Sequence, residues 1–405
     1  MQKKYNINDV SRYGGKESAS KEPVKKIVLH LSHTDIRADS RILKEIEAHR
    51  KTGGYKVYAI GLYRNLAGKT HSDIAVDTIR LASNKTKWNP RGVRHFLNLL
   101  ELTLRMIRKS VKISPDAVHC HDTVVLHIGL IVKFATGAKL VYDAHELESN
   151  KNGQTKFKSQ MTLLVEKFCW RSIDLLVSVS PSILRWYEVH LGKKKNVLVL
   201  NSPVVDNEII KSSLDKSKSG YFRDHFGIPD ESLIFIYLGH LIKGRGIELI
   251  LNAFSSNSVD SHVVFMGKGY LSDVIEKRAD LKNNIHLHPP VKHDQVVQLT
   301  KSADVGLCLI ERVSLSDYYC LPNKLFEYVF SGLPVLASNF PDLKNYIDSY
   351  GMGISCDVNS EMISKSMQRI KKVPLGKIKS DLDELGWHRQ AERLVAAYET
   401  LLQMQ

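Results

Sequence analysis

The 405-residue sequence is poor in several features whose scarcity narrows its class. Its five cysteines, Cys120, Cys169, Cys308, Cys320 and Cys356, are scattered and include no CxxC pair. That pattern speaks against a disulfide framework and for reduced thiols in a cytoplasmic protein. No apolar run approaches the ~20 residues needed to span a bilayer. The opening stretch "MQKKYNINDVSRYGGKESASKEPVKK" lacks the apolar core of a signal peptide, so residues 1–25 are expected to be a polar, flexible lead-in. The first strand-to-helix loop, "SHTDIRADS" (32–40), holds no GxGxxG, which leaves a dinucleotide reading without support. Acidic residues are in deficit, 43 against 58 basic ones, and the net charge is +15. Such an excess asks for an anionic partner: nucleic acid, acidic lipid headgroups or a phosphorylated substrate.

What is present is a repeated alternation. Short apolar, β-branched runs alternate with longer segments of helical period, at 26–32, 56–62, 116–122, 139–145, 175–180 and 197–203. A second series follows at 233–240, 262–269, 285–290, 303–310 and 334–339. Apolar strands separated by amphipathic helices predict parallel sheets covered on both faces, hence two doubly wound α/β domains facing a cleft. The expected layout is a first domain over 26–203, a charged, Ser-rich linker over 204–230 and a second domain over 231–382. A packing helix over 383–405 is expected to cross back to the first domain.

Ligands of such sheets sit at the carboxyl ends of the strands. There the second domain carries "YLGHLIKGRGIELI" (237–250), a basic glycine loop leading into a helix. Its amides can hold phosphate oxygens near Gly239 and His240, and Lys243 and Arg245 add full positive charge. An ordinary strand-to-helix turn with solvated cations is the plainer reading. A second anion site is suggested by "LPNKLFEYVFSGLPVLAS" (321–338). Pro322 suits a helix start, which leaves the amides of Asn323, Lys324 and Leu325 as donors beside the positive end of the helix dipole. Glu327 lies one turn on, on the same face. Two readings of it stand: acceptor of hydrogen bonds from ribose hydroxyls, or a favourable charge near the helix start.

The first domain offers "HCHD" (119–122), in which His121 emerges at a strand end where it can exchange a proton or bond a sugar hydroxyl. "VYDAHELES" (141–149) adds Asp143, His145 and Glu146. The first strand-to-helix segment, "SHTDIRADSRILKEIEA" (32–48), turns Asp35, Arg37, Asp39 and Arg41 to the same cleft mouth, Asp35 and Arg37 being the acceptor-side candidates and Asp39 also a helix cap. The spacing of His119, His121, His127 and His145 does not guarantee converging ligands, so no metal is expected. Residues 85–112 carry eight Lys or Arg against one acid, Glu101. Val93, Phe96, Leu97, Leu100, Leu104, Ile107 and Val111 share one face of that helix. Two readings remain, contact with an anionic membrane or a core-packed helix with a solvated basic face. Nucleic acid is not expected, because no binding motif accompanies the charge.

With these stretches in order, the chain resembles the retaining GT-B glycosyltransferases of glycosyltransferase family 4 over roughly residues 26–402. "LPNKLFEYVFSGLPVLAS" resembles the donor-binding signature of bacterial polysaccharide transferases. "YLGHLIKGRGIELI", "VVFMGKG", "ADVGLCLI" and "DAVHCHD…KLVYDAHE" also stand in the family's order. The resemblance implies that Glu327 bonds the donor ribose, that Arg245 holds the diphosphate and that His121 lies near the reacting sugar. It places Gly267, Lys268 and Gly269 near the nucleotide and Val291 near its base. It implies a nucleoside diphosphate sugar as co-substrate, no essential metal, and a glycan or lipid-linked acceptor at the inner face of the cytoplasmic membrane. No DxD stands in a donor loop, the "DLD" at 381–383 being in the C-terminal tail. The chain departs from the family where the first glutamate of E-x7-E would fall, at Tyr319, and where an arginine would follow Gly239, at His240; Glu311 is a candidate substitute carboxylate. A nucleotide-sugar epimerase and a non-catalytic sugar-binding assembly subunit are the alternative readings.

Overall fold

The computed structural model describes residues 25–63, 76–80, 91–204, 220–255, 260–370 and 382–404. Residues 1–24 of the expected lead-in, residues 205–219 of the linker, and residues 85–90 lie outside them. Seven parallel strands form the first sheet: β1 (Lys26–Ser32), β2 (Tyr55–Leu62), β3 (Val76–Ile79), β4 (Ala117–His121), β5 (Lys139–Ala144), β6 (Leu175–Ser178) and β7 (Asn196–Leu198). Their order is β3-β2-β1-β4-β5-β6-β7. The second sheet holds β8 (Ile234–His240), β9 (His262–Lys268), β10 (Ile285–His288), β11 (Val305–Cys308), β12 (Val335–Ser338) and β13 (Gly353–Cys356). Its order is β10-β9-β8-β11-β12-β13. Every pairing is parallel, as strands linked through helices require.

The helices of the first domain are α1 (Ser40–Lys51), α2 (Arg91–Ile113), α3 (Leu126–Thr136), α4 (Lys156–Trp170) and α5 (Pro181–Leu191). Those that follow are α6 (Tyr221–Phe226), α7 (Ile247–Phe254), α8 (Ser272–Ala279), α9 (His293–Thr300) and α10 (Leu315–Tyr318). The series ends with α11 (Asn323–Phe330), α12 (Pro341–Tyr350), α13 (Ser360–Ile370) and α14 (Trp387–Leu402). Strand order and right-handed crossovers put α2, α3 and α4 side by side on one face of the first sheet, with α2 against α3 and α3 against α4. On the opposite face, α14 returns to the first domain. Its Trp387, Leu394, Tyr398 and Leu401 share a core with Val28, Ala117, Val141 and Val177.

Sequence and structure part at two strands. β3 and β13 are four-residue edge strands of mixed burial, without the continuous apolar run that marks the inner ones. The stripe on α2 also faces differently from a core-packed helix. Leu102, Met106 and Ser110 are buried, whereas Leu97, Leu100, Leu104 and Val111 are exposed.

The two domains touch through α10 and the start of α5. Leu147 N donates to Ser316 Oγ (3.2 Å), and Leu315 N donates to Asn150 Oδ1 (3.1 Å). Asp342 accepts from both Ser182 N (2.9 Å) and Ser182 Oγ (2.8 Å).

Candidate active site

A cavity of about 620 Å3 opens between the domains at the carboxyl ends of both sheets. The second domain contributes Gly239, His240, Arg245, Asn323, Lys324 and Glu327, and the first contributes Asp39, Arg41, His145, Glu146 and Asn201. Two loops read as separate anion sites in the sequence therefore face one space.

The walls follow from local chemistry. The last two residues of β8 are Gly239, with φ +114°, a conformation nearly closed to other residues, and His240, and here the chain turns out of the sheet toward the cleft. Gly246 opens α7 with φ +71°; a Cβ there would stand 2.6 Å from the Leu309 carbonyl oxygen. Between these glycines the loop presents Arg245, whose Nη1 lies 3.3 Å from Asp317 Oδ1. Helix α11 starts after Pro322 with no side chain capping its end. Leu325 N is engaged by Pro322 O (3.0 Å) and the Leu325 side chain is core, so this residue forms no wall of the cavity.

Lys324 is the most unusual cation in the cleft. It is only 8% exposed, its Nζ has no hydrogen-bond partner, and it stands 3.8 Å from the centre of the Tyr237 ring. A buried ammonium left without an acceptor is costly, and an anion entering the cleft would relieve that cost. Glu327 is buried one turn behind it; burial pushes its carboxyl up to about 7 against the pull of Lys44 and Lys324. Lys44 on α1 is pushed down to about 7, first by burial and then by Arg41, and its Nζ donates to Ser202 O and Asn201 Oδ1.

The first domain backs the cavity with a buried network. Arg41 Nη2 donates to Asp143 Oδ1 (3.0 Å), lies 3.0 Å from Glu45 Oε1, and its Nη1 bonds Val199 O (3.0 Å). His145 Nε2 is 2.9 Å from Asp143 Oδ2 and 3.1 Å from His121 Nδ1, and His121 Nε2 is 3.0 Å from His30 Nδ1. His119 Nδ1 meets Tyr398 OH of α14 at 2.8 Å. Burial alone would lower His145, but Asp143 and Asp122 outweigh it and push it up to about 10. Burial holds His121 down at about 4 and His119 and His49 at about 3, and keeps His30 well below the usual range. His145 thus carries charge to the cleft, and His121 stands fully buried and neutral behind it.

This arrangement predicts an acid-sensitive fold. Histidines whose folded pKa is depressed contribute stability above the unfolded value of 6.5 and lose it as pH falls toward 4. His145, raised in the fold, has the opposite sign: its contribution is intact below 6.5 and is lost only as pH rises toward 10. One depressed histidine loses about 2 kcal/mol by pH 5. The buried carboxyls of Glu45 and Glu327, which burial pushes up to about 8 and about 7, offset part of this loss over the same range. With four depressed histidines against them, urea unfolding is expected to show a lower midpoint at pH 5 than at pH 7, and an unchanged midpoint would contradict the neutral, buried assignment.

Several sequence candidates lie elsewhere. Asp35 and Arg37 bond each other (Nε to Oδ1 2.8 Å, Nη2 to Oδ2 2.6 Å) outside the cavity wall, whereas Asp39 and Arg41 of the same segment form it. Lys243 is exposed and its amide bonds Tyr270 OH (2.8 Å). Gly267, Lys268, Gly269 and Val291 do not line the cleft. Gly267 and Gly269 pack against backbone instead: a Cβ would come within 1.9 Å of Gly239 O and 2.2 Å of Leu241 O, respectively. Gly267 borders a separate hollow of about 580 Å3 with Pro289 and Pro290.

Glu311 is likewise outside the cleft wall, where its carboxylate accepts from Gly246 N (3.1 Å) at the start of α7. Tyr319 packs against the first domain's core, and its carbonyl accepts from Ser180 Oγ (2.6 Å). A carboxylate at 319 would face that apolar core, which gives a tyrosine there a physical reason.

His121, Asp143 and His145 bring ligand-type atoms within 4.8 Å of one another, as do His30, Glu45, His119 and His121. His121 thus converges with His119 in one of these sets and with His145 in the other, and neither set holds both His119 and His145. His127 instead meets Thr103 Oγ1 (3.2 Å).

Comparison with known proteins gives this geometry a family. Residues 52–208 match the family model described as Glycosyltransferase Family 4, and residues 221–384 match Glycosyl transferases group 1. An uncharacterised glycosyltransferase of Methanocaldococcus jannaschii is 22% identical over 393 residues, covering 88% of this chain and 96% of its own. The sucrose-phosphate synthase of Thermosynechococcus elongatus superposes with a TM-score of 0.73 at 14% identity, over 94% of this chain and all of that one. Anabaena HepE, solved with UDP and glucose, gives 0.65 at 12% identity, over 93% of this chain and 98% of its own. The two matched regions hold six of the seven strands of the first sheet and all six of the second, and with the same two-domain architecture as these structures the chain belongs to the GT-B glycosyltransferases of the group 1 and family 4 type.

Proposed function

We propose that this glycosyltransferase moves a hexose-type sugar, with retention of configuration, from a nucleoside diphosphate donor to a glycan or lipid-linked glycan acceptor. The expected setting is cell-surface polysaccharide assembly at the cytoplasmic face of a membrane. One observation carries the reading: Lys324, buried and without a hydrogen-bond partner, shares a cleft wall with Arg245 and the open end of α11. A diphosphate is the anion that would use all three at once. The UDP held by HepE, a protein of similar fold, supports a nucleotide in this cleft.

In the proposed reaction the bond from the anomeric carbon to the diphosphate oxygen breaks, and the acceptor oxygen bonds that carbon. The acceptor proton leaves with the diphosphate. Arg245 and Lys324 stabilise the negative charge that builds on the leaving group, which is the largest electrostatic contribution such a site can make. Glu327, once ionised, accepts from the ribose. His145 faces the sugar side, and His121 acts through it as a positioning residue. Protein cations meet the diphosphate charge without an essential metal ion.

The test is incubation with a panel of nucleotide sugars, with and without acceptor glycans. Nucleoside diphosphate released only with acceptor is expected, and at an unchanged rate in EDTA. Lys324→Met is expected to weaken nucleoside diphosphate binding at least tenfold by calorimetry. Conversion of the sugar without release would replace transfer by epimerisation. Binding without turnover would make the chain an assembly subunit.

A further inference from the structure

We infer that the outer faces of α2, α3 and α4 form one plate that docks on an anionic lipid bilayer. The inference rests on the proposed lipid-linked acceptor and adds the surface that would bring the enzyme to it. On α4, Phe157, Met161, Leu164 and Phe168 recur at intervals of four, three and four, which places them on one helical face. That face is turned to solvent: Phe157 is 74% exposed, Leu164 58% and Phe168 76%. Next to it on α3, Phe134 is 74% exposed, and beyond it on α2 Leu100 and Leu104 are 44% and 48% exposed. Scattered surface leucines need no explanation, but three phenylalanines this open on two adjoining helices do.

Charge selects the occupant. Lys156, Lys158, Lys167 and Arg171 are exposed in or beside α4, and the one acid of that helix, Glu166, is buried. There Glu166 Oε1 accepts from Tyr142 OH (2.8 Å) and Tyr187 OH (2.6 Å). Arg108 and Lys112 are exposed on α2. A second copy meeting this plate face to face would set lysines against lysines. A surface of anionic headgroups over acyl chains satisfies both the cations and the phenyl rings. Helix α4 begins just after the segment 148–150 that meets α10 of the other domain, so its first turn, with Lys156 and Phe157, lies toward the interdomain cleft. A bilayer under the plate would lie beside the cleft, where a lipid-linked acceptor could reach it.

The experiment is flotation of the full chain with vesicles of phosphatidylcholine alone or with 30 mol% phosphatidylglycerol, the vesicle composition being about one anionic lipid in three. Binding is expected to be at least tenfold stronger to the anionic vesicles and to fall at least tenfold at high salt, which shortens the reach of the charges. Phe157→Ser with Phe168→Ser, and separately Lys156→Glu with Lys167→Glu, should each lose at least tenfold in partition. Both sets are surface changes, so melting temperature and nucleoside diphosphate binding should stay as in the wild type. That second readout separates failure of the plate from failure of the donor assignment. Equal binding to both vesicle types, no binding, or serine variants that float like wild type would overturn the inference. A wild-type dimer abolished by the serine changes would assign the face to a second copy and overturn it as well.

Discussion

Arg245→Ala will lower turnover about a thousandfold while leaving the melting temperature within a few degrees of wild type. The side chain sits on the loop between two positive-φ glycines, Gly244 and Gly246, and its charge is aimed into the cleft by Asp317. A preorganised cation that meets charge developing on a departing group is worth roughly 10²–10³ in rate, and more where phosphoryl charge is concentrated. Folding loses little, because the guanidinium is partly solvated and Asp317 keeps the Ser314 hydroxyl as a donor at 2.7 Å. Lysine at 245 should recover part of the rate, since it restores the charge but not the two-pronged grip. The check is steady-state release of nucleoside diphosphate, with circular dichroism melting alongside. Turnover within threefold of wild type would remove Arg245 from the reaction.

The second large effect falls on the fold. Arg41→Met will destabilise the protein by about 3–5 kcal/mol, the usual cost of leaving a buried charge without its partner. The Asp143 carboxylate depends on this guanidinium, which also lies beside Glu45, whose carboxyl burial pushes up to about 8, and all three groups are buried. That amount is a large share of the ~5–15 kcal/mol that holds a typical protein folded. Adding Asp143→Asn and Glu45→Gln to Arg41→Met should recover much of it, because the uncompensated Asp143 charge is then gone and position 45 can no longer ionise. Urea denaturation of the single and triple variants measures both. A loss below about 1 kcal/mol for Arg41→Met would mean that the carboxylates are held by other means.

These two residues also show how legible the site was from sequence. Arg245 stood out because a strand end, a glycine loop and a helix start occur together in "YLGHLIKGRGIELI", all within a few residues. Lys324 and Glu327 stood out because a proline and one helical turn are enough to place them. Arg41, the second residue of α1, was one of four charges in the first strand-to-helix segment, yet nothing local distinguished it from Arg37. Its partners Asp143 and Val199 are 102 and 158 residues away. Asp317 gave no signal, and Asn201 gave only its place just after an apolar run. The apolar stripe on α2 was visible, but period alone does not tell whether a stripe faces a core or the outside.

The sequence alone determined the class of fold and the chemistry of the donor half. Continuous apolar runs alternating with helices have few stable arrangements other than layered parallel sheets, and motifs that cradle phosphate are local in the chain. Only the tertiary structure decided which groups share a space. It set Lys324 beside Arg245, put His145 rather than His121 at the cleft wall, and seated Tyr319 against the opposite domain. It also turned the phenylalanines of α3 and α4 outward. The physical reason is range: backbone preference and hydrophobic period act over a few residues, whereas burial, ion pairing and domain contact depend on residues more than a hundred positions apart.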